Sequence, residues 1–382
     1  QESKSAMDFS DIALLLVAGG KSSRMGQDKR FLPLDGEALL ARTLRKGRAA
    51  GFRSIVLAAE GARSDLAALA EEFGATLVTD EVQAQGPAAA IAAGLRAAKT
   101  EWALVLSADM PFYDFELVRA LLPAAEGETQ VVLPTLLGYW QPLAALYRRD
   151  TGAAFAAAIA RGDRKLGIIL RELAVREISL TVDAGLFFNV NTPAAYRLAR
   201  GRLANEQRTK PILSVAAPTS GTGKTTLIEK LIPLLARRGV RTAVIKSDSH
   251  GFNLDTEGKD TARFMTAGAE AVAVSSPDGY FIQQKANCRK DFQNLITQMD
   301  SDSLDLYITE SRSRGVLPTL MLYRGMGEPE SDERVVALFA KNCTDDGILC
   351  ADLDDMDTAV RLALFLMGRP LYGADGEIFL TL

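Results

Sequence analysis

Two glycine-rich loops, about two hundred residues apart, constrain what this chain of 382 residues can fold into. The first loop reads VAGGKSSRMGQDK over residues 17–29, and the second reads PTSGTGKTT over residues 218–226. Each follows a short apolar run and precedes a helical pattern. In that context a glycine-rich turn brings backbone N–H groups and a helix N-terminus to a phosphate. Two such loops indicate a chain built around nucleotides.

Apolar runs alternate with alanine- and leucine-rich helical patterns in the first half of the chain. Strands are predicted at 12–18, 54–58, 75–78, 102–107 and 131–133, and helices at 37–50, 64–73, 87–98 and 114–122. This alternation predicts βαβ units and a mostly parallel sheet with helices on both faces. After the polar segment at 199–210, the pattern restarts at Pro211 with the apolar run ILSVAAP. Further strands are predicted at 241–246 and 304–309, and a helix from the second loop to about residue 238.

The fold class expected from these patterns is α/β, with two three-layer αβα domains. The first domain carries a Rossmann-like sheet and the second a P-loop sheet. We place a disordered lead at residues 1–10, the first domain at 11–204, a linker at 205–210 and the second domain at 211–382. The opening QESKSA has no apolar core, so it reads as a disordered lead or a cloning remnant, with Met7 as the expected native start.

Composition excludes several classes of protein. The formal net charge of −4, with a pI near 5.4, gives no general attraction to nucleic acid, and no basic cluster is interleaved with aromatic residues. The three cysteines, Cys288, Cys343 and Cys350, contain no CxxC pair, so neither a disulfide framework nor a cysteine zinc site is indicated. No apolar run approaches the ~18 residues that span a bilayer. A cytoplasmic protein that does not bind membranes is therefore expected.

The first loop presents a bend and two cations. The Ala18-Gly19-Gly20 turn lets the backbone approach a ligand without Cβ clashes. Arg24 and Lys29 follow it and can neutralise a triphosphate. The full spacing, GGxSxRMGxDK, resembles the signature of the molybdenum cofactor guanylyltransferases (MobA-type).

Three downstream segments share that resemblance. They are Val78-Thr79-Asp80 followed by Gly86-Pro87, the segment LSADMPF at 106–112, and the segment FNVNTP at 188–193. An aspartate at the end of a parallel strand lies where open α/β sheets bind ligands. The resemblance implies that Asp109 holds Mg²⁺. It also implies a GTP site formed by Val17, Ala18, Gly19, Gly20, Lys29, Asp80 and Asp109.

The resemblance further implies the second substrate and the reaction. Gln141, Asn189 and Asn191 would face the molybdopterin cofactor, whose terminal phosphate attacks the α-phosphorus of GTP. Lys29, Arg24 and Asp109 are the expected catalytic residues. A phosphate monoester has a second pKa near ~6, so no general base is required.

The first turn bears on the choice of nucleotide. Relatives that transfer guanylyl groups read AGG at the first turn, whereas cytidylyl-transferring relatives usually read AAG, so GTP is favoured. A molybdopterin cytidylyltransferase, a GTP-dependent cofactor carrier without turnover, and a sugar-phosphate transferase remain the alternatives.

The second loop supplies the core of a Walker A motif, although Pro218 stands where the leading glycine belongs. The segments DTEGKDTARF at 255–264 and AGA at 267–269 resemble the molybdopterin-guanine dinucleotide adaptor proteins (MobB-type). That resemblance implies a GTP site formed by Ser220, Gly221, Thr222, Gly223, Lys224, Thr225 and Thr226. Its metal side would be Thr225, Asp248 and Glu310.

Two segments depart from the adaptor pattern. SDSHG at 247–251 replaces HTHHD and retains His250, the single histidine of the chain. ESRS at 310–313 replaces EGFK, so the lysine of that motif is absent. GTP binding by the second domain is therefore predicted, and hydrolysis of GTP by this domain is left open.

The expected cofactor is Mg²⁺ and the expected substrates are GTP and molybdopterin cofactor. Molybdoenzymes or other cofactor-biosynthesis proteins are the expected partners, and a homodimer is the expected assembly.

Overall fold

The computed structural model describes residues 7–19, 28–61, 63–80, 86–246, 260–269, 271–277, 279–284, 292–299, 302–311, 317–325, 332–345 and 347–369. In this part of the chain the strands form two large sheets. The strands of one sheet end at Leu180, and those of the other begin at Ile212. The α/β fold class expected from the sequence is confirmed.

Ten strands and six α-helices are described up to residue 206. The strands are β1 (Ala13–Ala18), β2 (Pro33–Leu34), β3 (Glu37–Ala38), β4 (Ser54–Glu60), β5 (Thr76–Asp80), β6 (Trp102–Ser107), β7 (Val131–Leu136), β8 (Tyr139–Trp140), β9 (Ala144–Arg148) and β10 (Val175–Leu180). The helices are α1 (Leu39–Ala50), α2 (Ser64–Glu72), α3 (Pro87–Ala97), α4 (Thr151–Ala160), α5 (Leu166–Leu170) and α6 (Pro193–Glu206).

The first sheet has the order β10-β7-β9-β6-β1-β4-β5, and β8 pairs with β7. Strands β6, β1, β4 and β5 run parallel to one another, whereas β9 is antiparallel to both of its neighbours. All six residues of β1 are buried, as expected for a parallel strand covered on both faces. The sequence patterns predicted β1 and β4–β7, but not β8, β9 and β10.

One predicted helix is wrong. The segment 114–122 forms two 3₁₀ turns, Phe115–Ala120 and Leu122–Ala124, instead of an α-helix. Asp114 accepts a hydrogen bond from the backbone N–H of Glu116, which caps a tight turn. Pro123 follows, and the residue before a proline is disfavoured in the α conformation. Apolar spacing alone did not reveal this interruption.

The predicted lead over residues 1–10 extends too far. Residues 1–6 lie outside the described residues, but Asp8 caps a 3₁₀ turn over Phe9–Asp11. Phe9 is buried and stacks on Phe52 with ring centroids 5.2 Å apart. Phe9 therefore belongs to the core of the first sheet. One aromatic side chain buries a large apolar area, so this residue fixes the start of the chain against the core.

The described residues after 211 contain eight strands and four α-helices. The strands are β11 (Ile212–Ala216), β12 (Thr242–Lys246), β13 (Ala271–Ser276), β14 (Gly279–Gln284), β15 (Leu306–Ser311), β16 (Thr319–Tyr323), β17 (Val335–Ala340) and β18 (Leu349–Ala351). The helices are α7 (Lys224–Ala236), α8 (Asp260–Thr266), α9 (Phe292–Met299) and α10 (Met356–Leu366). Six strands form a parallel sheet of order β12-β15-β11-β16-β17-β18, and β13 and β14 form a separate antiparallel pair. Within the described ranges, no helix has the length and apolar character needed to cross a membrane.

Helix α6 packs against the second sheet although the sequence assigns most of it to the first domain. Its residue Gly201 lies against Leu366 and Val336, and a Cβ on Gly201 would come within 2.9 Å and 3.0 Å of their side chains. Asn205, which the sequence assigns to the linker, is buried and donates a hydrogen bond to the backbone oxygen of Leu366. The polar residues of this segment predicted that it is exposed, because a sequence does not show which polar side chains have buried hydrogen-bond partners.

Replacing Gly201 by Leu is expected to lower the free energy of unfolding by about 1–3 kcal/mol, because the new side chain overpacks a close helix–sheet contact. Urea denaturation of the full chain measures this. The control is Gly167→Ala in α5, where a Cβ meets nothing within 4 Å, so the variant should be neutral or slightly stabilised. Equal unfolding midpoints for Gly201→Leu and the parent chain would contradict the close packing.

Cys343 and Cys350 are joined by a disulfide, with their Cα atoms 5.6 Å apart. The expectation that the chain has no disulfide is therefore wrong for this pair. Cys343 follows β17 and Cys350 lies in the neighbouring strand β18. This strand pairing brings the two thiols together, which the spacing of the cysteines did not indicate.

Candidate functional site

The first glycine loop begins at an edge where two parallel strands end. β1 ends at Ala18 and β6 ends at Ser107, with Val17 opposite Ser107 in the register. The N–H of Ala108 donates to the backbone oxygen of Val17 at 3.0 Å, so the chain segments that leave the two strands stay together. Gly19, the first residue of the bend, is exposed at this edge. The strand order thus places the segment after β6 beside the loop.

Lys29 and Asp109 meet at this edge although they are 80 residues apart in the sequence. The Lys29 Nζ lies 2.5 Å from Asp109 Oδ2, and the Ser107 hydroxyl donates to Asp109 Oδ1 at 2.6 Å. Asp109 is only 8% exposed. A carboxylate and an ammonium group held this way can bind a metal ion and an anionic phosphate, respectively.

The segment with the two asparagines lies next to Asp109. The N–H of Val190 donates to the backbone oxygen of Asp109 at 2.9 Å. Asn189 and Asn191 flank this contact; Asn191 is exposed, whereas the Asn189 amide donates to the backbone oxygen of Phe187 at 3.0 Å. The structure therefore brings both residues to the loop that carries Asp109.

Gln141 lies in the turn before β9, which is antiparallel to β6 and therefore begins at the same edge. Two residues later, the backbone oxygen of Leu143 accepts a hydrogen bond from the N–H of Ser107 at 3.0 Å. The Gln141 side chain is half-buried and donates to the backbone oxygen of Tyr139 at 3.2 Å. Gln141 is thus near the Asp109 segment, although its described hydrogen bond is to Tyr139 rather than to Asp109.

Three predicted residues of the first site are described only in part or not at all. Asp80 is the last residue of β5, which β4 separates from β1. Gly20 and Arg24 lie outside the described residues. Their assignment to GTP stays a prediction.

An ion cluster beside the glycine loop was missed by the motif reading. Asp28 is paired with both Arg30, at 2.6 Å, and Arg63, at 2.7 Å. Arg30 also donates to the backbone oxygen of Ala18 at 3.3 Å. Burial raises the pKa of Asp28, but hydrogen bonds from Arg30 outweigh it and hold that pKa below its ordinary value. The cluster anchors the end of the loop near Lys29, and its signal was the DKR triplet at 28–30, whose first two residues close the motif.

Lys46 on α1 is a second residue that the motif reading missed. Its Nζ donates to the backbone oxygens of Pro111 at 3.1 Å and Tyr113 at 2.7 Å. Burial and the neighbouring Arg42 lower the pKa of Lys46 to about 8. Lys46 thereby holds the backbone of the segment that follows Asp109. Helical periodicity gave no signal for it, because a lysine on a helix usually faces solvent.

The second glycine loop connects β11 to α7. Gly221 and Gly223 have φ values of +72° and +104°, in the left-handed region that favours glycine. The Thr222 hydroxyl donates to the backbone oxygen of Thr219 at 2.8 Å and closes the turn. Lys224 is 8% exposed and its Nζ lies 3.3 Å from the same oxygen. The loop thus wraps around its lysine, as a phosphate-binding loop requires.

A hydroxyl and a carboxylate meet on one side of this loop. The Thr225 hydroxyl lies 3.0 Å from both carboxylate oxygens of Glu310, at the end of β15. The Lys246 Nζ of β12 lies 3.9 Å from Glu310. Asp248 and His250 lie outside the described residues. Thr225 and Glu310 are therefore the described part of the predicted metal side.

Comparison with known proteins matches the two parts of the chain to two families. Residues 14–177 match the family described as MobA-like NTP transferase domain, and residues 212–341 match Molybdopterin guanine dinucleotide synthesis protein B. The chain belongs to both families. It joins a MobA-type domain to a MobB-type domain, as the motifs predicted.

Individual relatives show the same division. The MobA-type domain is similar to a probable molybdenum cofactor guanylyltransferase of Natronomonas pharaonis, with 34% identity over 197 residues (50% of this chain, 97% of the relative). It is also similar to a molybdenum cofactor guanylyltransferase of Pseudomonas putida F1, with 31% identity over 183 residues (47% and 93%). The MobB-type domain is similar to the molybdopterin-guanine dinucleotide biosynthesis adapter protein of Escherichia coli K12, with 34% identity over 154 residues (38% and 87%).

The described residues of both domains offer oxygen donors that suit Mg²⁺, but they form no closed metal cage. In the described ranges, no cluster of three or more His, Cys, Asp or Glu side chains is placed to hold a metal. Mg²⁺ is usually held by one or two carboxylates together with waters and substrate phosphates. Asp109 in the MobA-type domain, and Glu310 with Thr225 in the MobB-type domain, fit that mode of binding.

Proposed function

We propose that the chain transfers GMP from GTP to the molybdenum-molybdopterin cofactor and releases pyrophosphate. The observation that carries this proposal is the Lys29–Asp109 pair beside the first glycine loop. It lies in a domain whose relatives are named guanylyltransferases. A phosphate-neutralising cation and a buried carboxylate at a strand-end edge are what a nucleotidyl transfer requires.

The proposed reaction forms one bond and breaks one. A terminal phosphate oxygen of molybdopterin bonds to the α-phosphorus of GTP, and the α–β phosphoanhydride bond breaks with its electron pair leaving on pyrophosphate. The attacking phosphate is largely dianionic at neutral pH, so no proton has to be removed. Catalysis then consists of holding two anions in line and offsetting their charge.

The chain's own residues divide this work. Lys29 binds and neutralises the triphosphate, and Arg24 is proposed to assist it. Asn189, Asn191 and Gln141 orient the molybdopterin side. Ser107 holds the Asp109 carboxylate in place through its hydroxyl, 2.6 Å away. Mg²⁺ held by Asp109 would supply positive charge between the triphosphate and the attacking phosphate.

A panel of nucleotides tests the proposal. The full chain is incubated with molybdenum-molybdopterin cofactor, Mg²⁺ and one of GTP, CTP, ATP or UTP, and pyrophosphate release is measured. Release with GTP alone is expected. Pyrophosphate release with CTP instead would assign the chain to cytidylyl transfer. Tight binding of the cofactor without any pyrophosphate release would indicate a cofactor carrier. The Ala18-Gly19-Gly20 turn is the sequence basis for expecting GTP.

We further propose that the MobB-type domain binds GTP with Mg²⁺ at the second loop. The support is Lys224 within the loop and Thr225 facing Glu310. Hydrolysis is not part of the proposal, because the segment after β15 departs from the adaptor pattern at Arg312 and Ser313.

Replacing Thr225 by Val is expected to abolish most of the increase in GTP affinity that Mg²⁺ produces, because the hydroxyl that faces Glu310 is lost. Fluorescent GTP titrations with and without Mg²⁺ measure the change in the binding component that Lys224→Ala removes, since the first loop is also proposed to bind GTP. Thr225→Ser keeps the hydroxyl and should behave as the parent chain. A full Mg²⁺ effect in Thr225→Val would remove Thr225 from the metal side.

We propose a cytoplasmic homodimer that passes its product to molybdoenzymes. Because disulfides are rare in reducing compartments, the Cys343–Cys350 pair that the structure shows joined is expected to be reduced in the cell. Thiol titration of protein alkylated in whole cells before lysis addresses the compartment, and light scattering addresses the dimer. An oxidised pair or a monomeric mass would count against the respective proposal.

A further inference from the structure

Arg324 directly follows β16, in a segment that no motif includes, and contacts the second glycine loop. Its Nε donates to the backbone oxygen of Thr222 at 2.8 Å. Its Nη2 lies 3.5 Å from the position that a Cβ on Gly223 would occupy. The residue is exposed, so the guanidinium group lies at the surface of the loop. An exposed arginine is thus held at the loop by one hydrogen bond, with one terminal amino group beside Gly223.

The sheet order decides which end of a nucleotide Arg324 would meet. β11, which leads into the loop, lies between β15 and β16. Glu310 on the β15 side faces Thr225, so the metal-bound phosphates belong on that side. Arg324 lies at the end of the strand on the other side. A nucleotide whose β-phosphate occupied the loop would therefore extend its nucleoside toward the Arg324 side.

The chemistry of the side chain suits that position. A guanidinium group is planar and delocalised, and it stacks on aromatic rings, whereas an ammonium group acts as a point charge. The Nε hydrogen bond to Thr222 restricts rotation of the plane. Within the described residues, no ion pair between Arg324 and a carboxylate is present, so its charge is not offset there by an acidic neighbour.

We propose that Arg324 is a nucleotide-binding residue of the MobB-type domain that stacks on the base of the bound nucleotide. This inference rests on the proposed function of the second loop as a GTP site. The hydrogen bond to Thr222 couples the stacked group to the loop, so that occupation of the loop and placement of the base occur together.

Titrations of the full chain with GTP, GDP and inorganic tripolyphosphate test this inference. The binding that belongs to the second loop is defined as the component that Lys224→Ala removes, since the first loop also binds nucleotide. For this component, Arg324→Ala is expected to lower the affinity for GTP and GDP by the same factor, about tenfold. Tripolyphosphate has no base, so its affinity should not change.

The matched control is Arg237→Ala. Arg237 is an exposed arginine at the C-terminal end of α7, about 20 Å from the loop at 1.5 Å per helical residue, and its removal changes the net charge equally. This variant should bind all three ligands as the parent chain does. A loss in Arg237→Ala as large as that in Arg324→Ala would attribute the effect to net charge and overturn the inference.

The remaining outcomes separate this inference from the proposed function. If Arg324→Ala weakens the binding of tripolyphosphate as much as that of GTP, Arg324 only supports the loop and does not stack on the base. If it weakens the binding of GTP but not of GDP, Arg324 contacts the γ-phosphate, which also contradicts stacking on the base. If Arg324→Ala binds normally while Lys224→Ala loses binding, the GTP site stands without Arg324. If Lys224→Ala has no effect, the proposed GTP site itself fails.

Discussion

Replacing Asp109 by Asn is expected to lower the rate constant for GMP transfer by about 10²- to 10³-fold, the range measured when a pre-organised electrostatic group is removed from an active site. Asparagine has nearly the same size but no charge. Lys29 would lose the carboxylate that lies 2.5 Å from its Nζ, and the strand-end edge would lose its proposed metal ligand. Single-turnover pyrophosphate release with saturating GTP measures the chemical step.

The Lys29–Asp109 contact can be tested as a unit. Lys29→Met should also lower transfer, and the double variant should lose less than the sum of the two single effects, because residues in direct contact are not independent. Glu116→Gln is the control, since Glu116 is exposed and pairs with Arg119. It should change the rate by less than about twofold. A fully active Asp109→Asn chain with a normal thermal unfolding midpoint would place the reaction elsewhere.

Replacing Arg202 by Met is expected to lower the free energy of unfolding by about 3 kcal/mol, because it leaves a partly buried carboxylate without its partner. The Arg202 side chain is 5% exposed and lies 3.6 Å from Asp183. Its guanidinium also covers the rings of Phe112, at 4.4 Å, and Phe365, at 5.1 Å. Phe112 belongs to the MobA-type domain and Phe365 to α10, so Arg202 ties the domains together.

Chemical denaturation followed by both fluorescence and circular dichroism measures this change, because two domains need not unfold in one step. Arg200→Met is the matched control. Arg200 is two residues away on the same helix and pairs with Glu333 at the surface, where an ion pair contributes about 0–1 kcal/mol. If Arg200→Met destabilised the chain as much as Arg202→Met, burial would not be the cause.

Contacts across α6 distinguish this chain from two domains joined by a free tether. Arg197 on α6 donates to the backbone oxygen of Gly347 at 3.0 Å, and Phe112 packs edge-on against Phe365 at 5.9 Å. Phe112 lies three residues after Asp109. The segment that carries the proposed catalytic carboxylate is therefore packed directly against the MobB-type domain.

The sequence predicted those features that depend on local patterns. Continuous apolar runs marked β1 and β11 because a strand covered on both faces has no polar side to present. The glycines of the second loop marked a turn because φ values above zero are costly for other residues. The two motifs were long enough to indicate both families, which the comparisons confirmed.

Predictions of exposure from the pattern of polar residues were wrong where a polar side chain has a buried hydrogen-bond partner. Asn205 was assigned to a linker, yet it is hydrogen-bonded between Ile212 and Leu366. Lys46 reads as an ordinary surface lysine, yet it holds two backbone oxygens after Asp109. Cys343 and Cys350 show the same limit, since their pairing depends on the register of β17 and β18.

By itself, the sequence determined the two phosphate loops, most of the parallel strands and the families to which the chain belongs, because these follow from residues close together in the chain. Only the tertiary structure decided that Lys29 meets Asp109 across 80 residues and that Arg324 meets Thr222 across 102. It also decided that α6 packs on the second sheet. Such contacts depend on strand order and helix packing, which bring distant segments to one edge and which no local periodicity encodes.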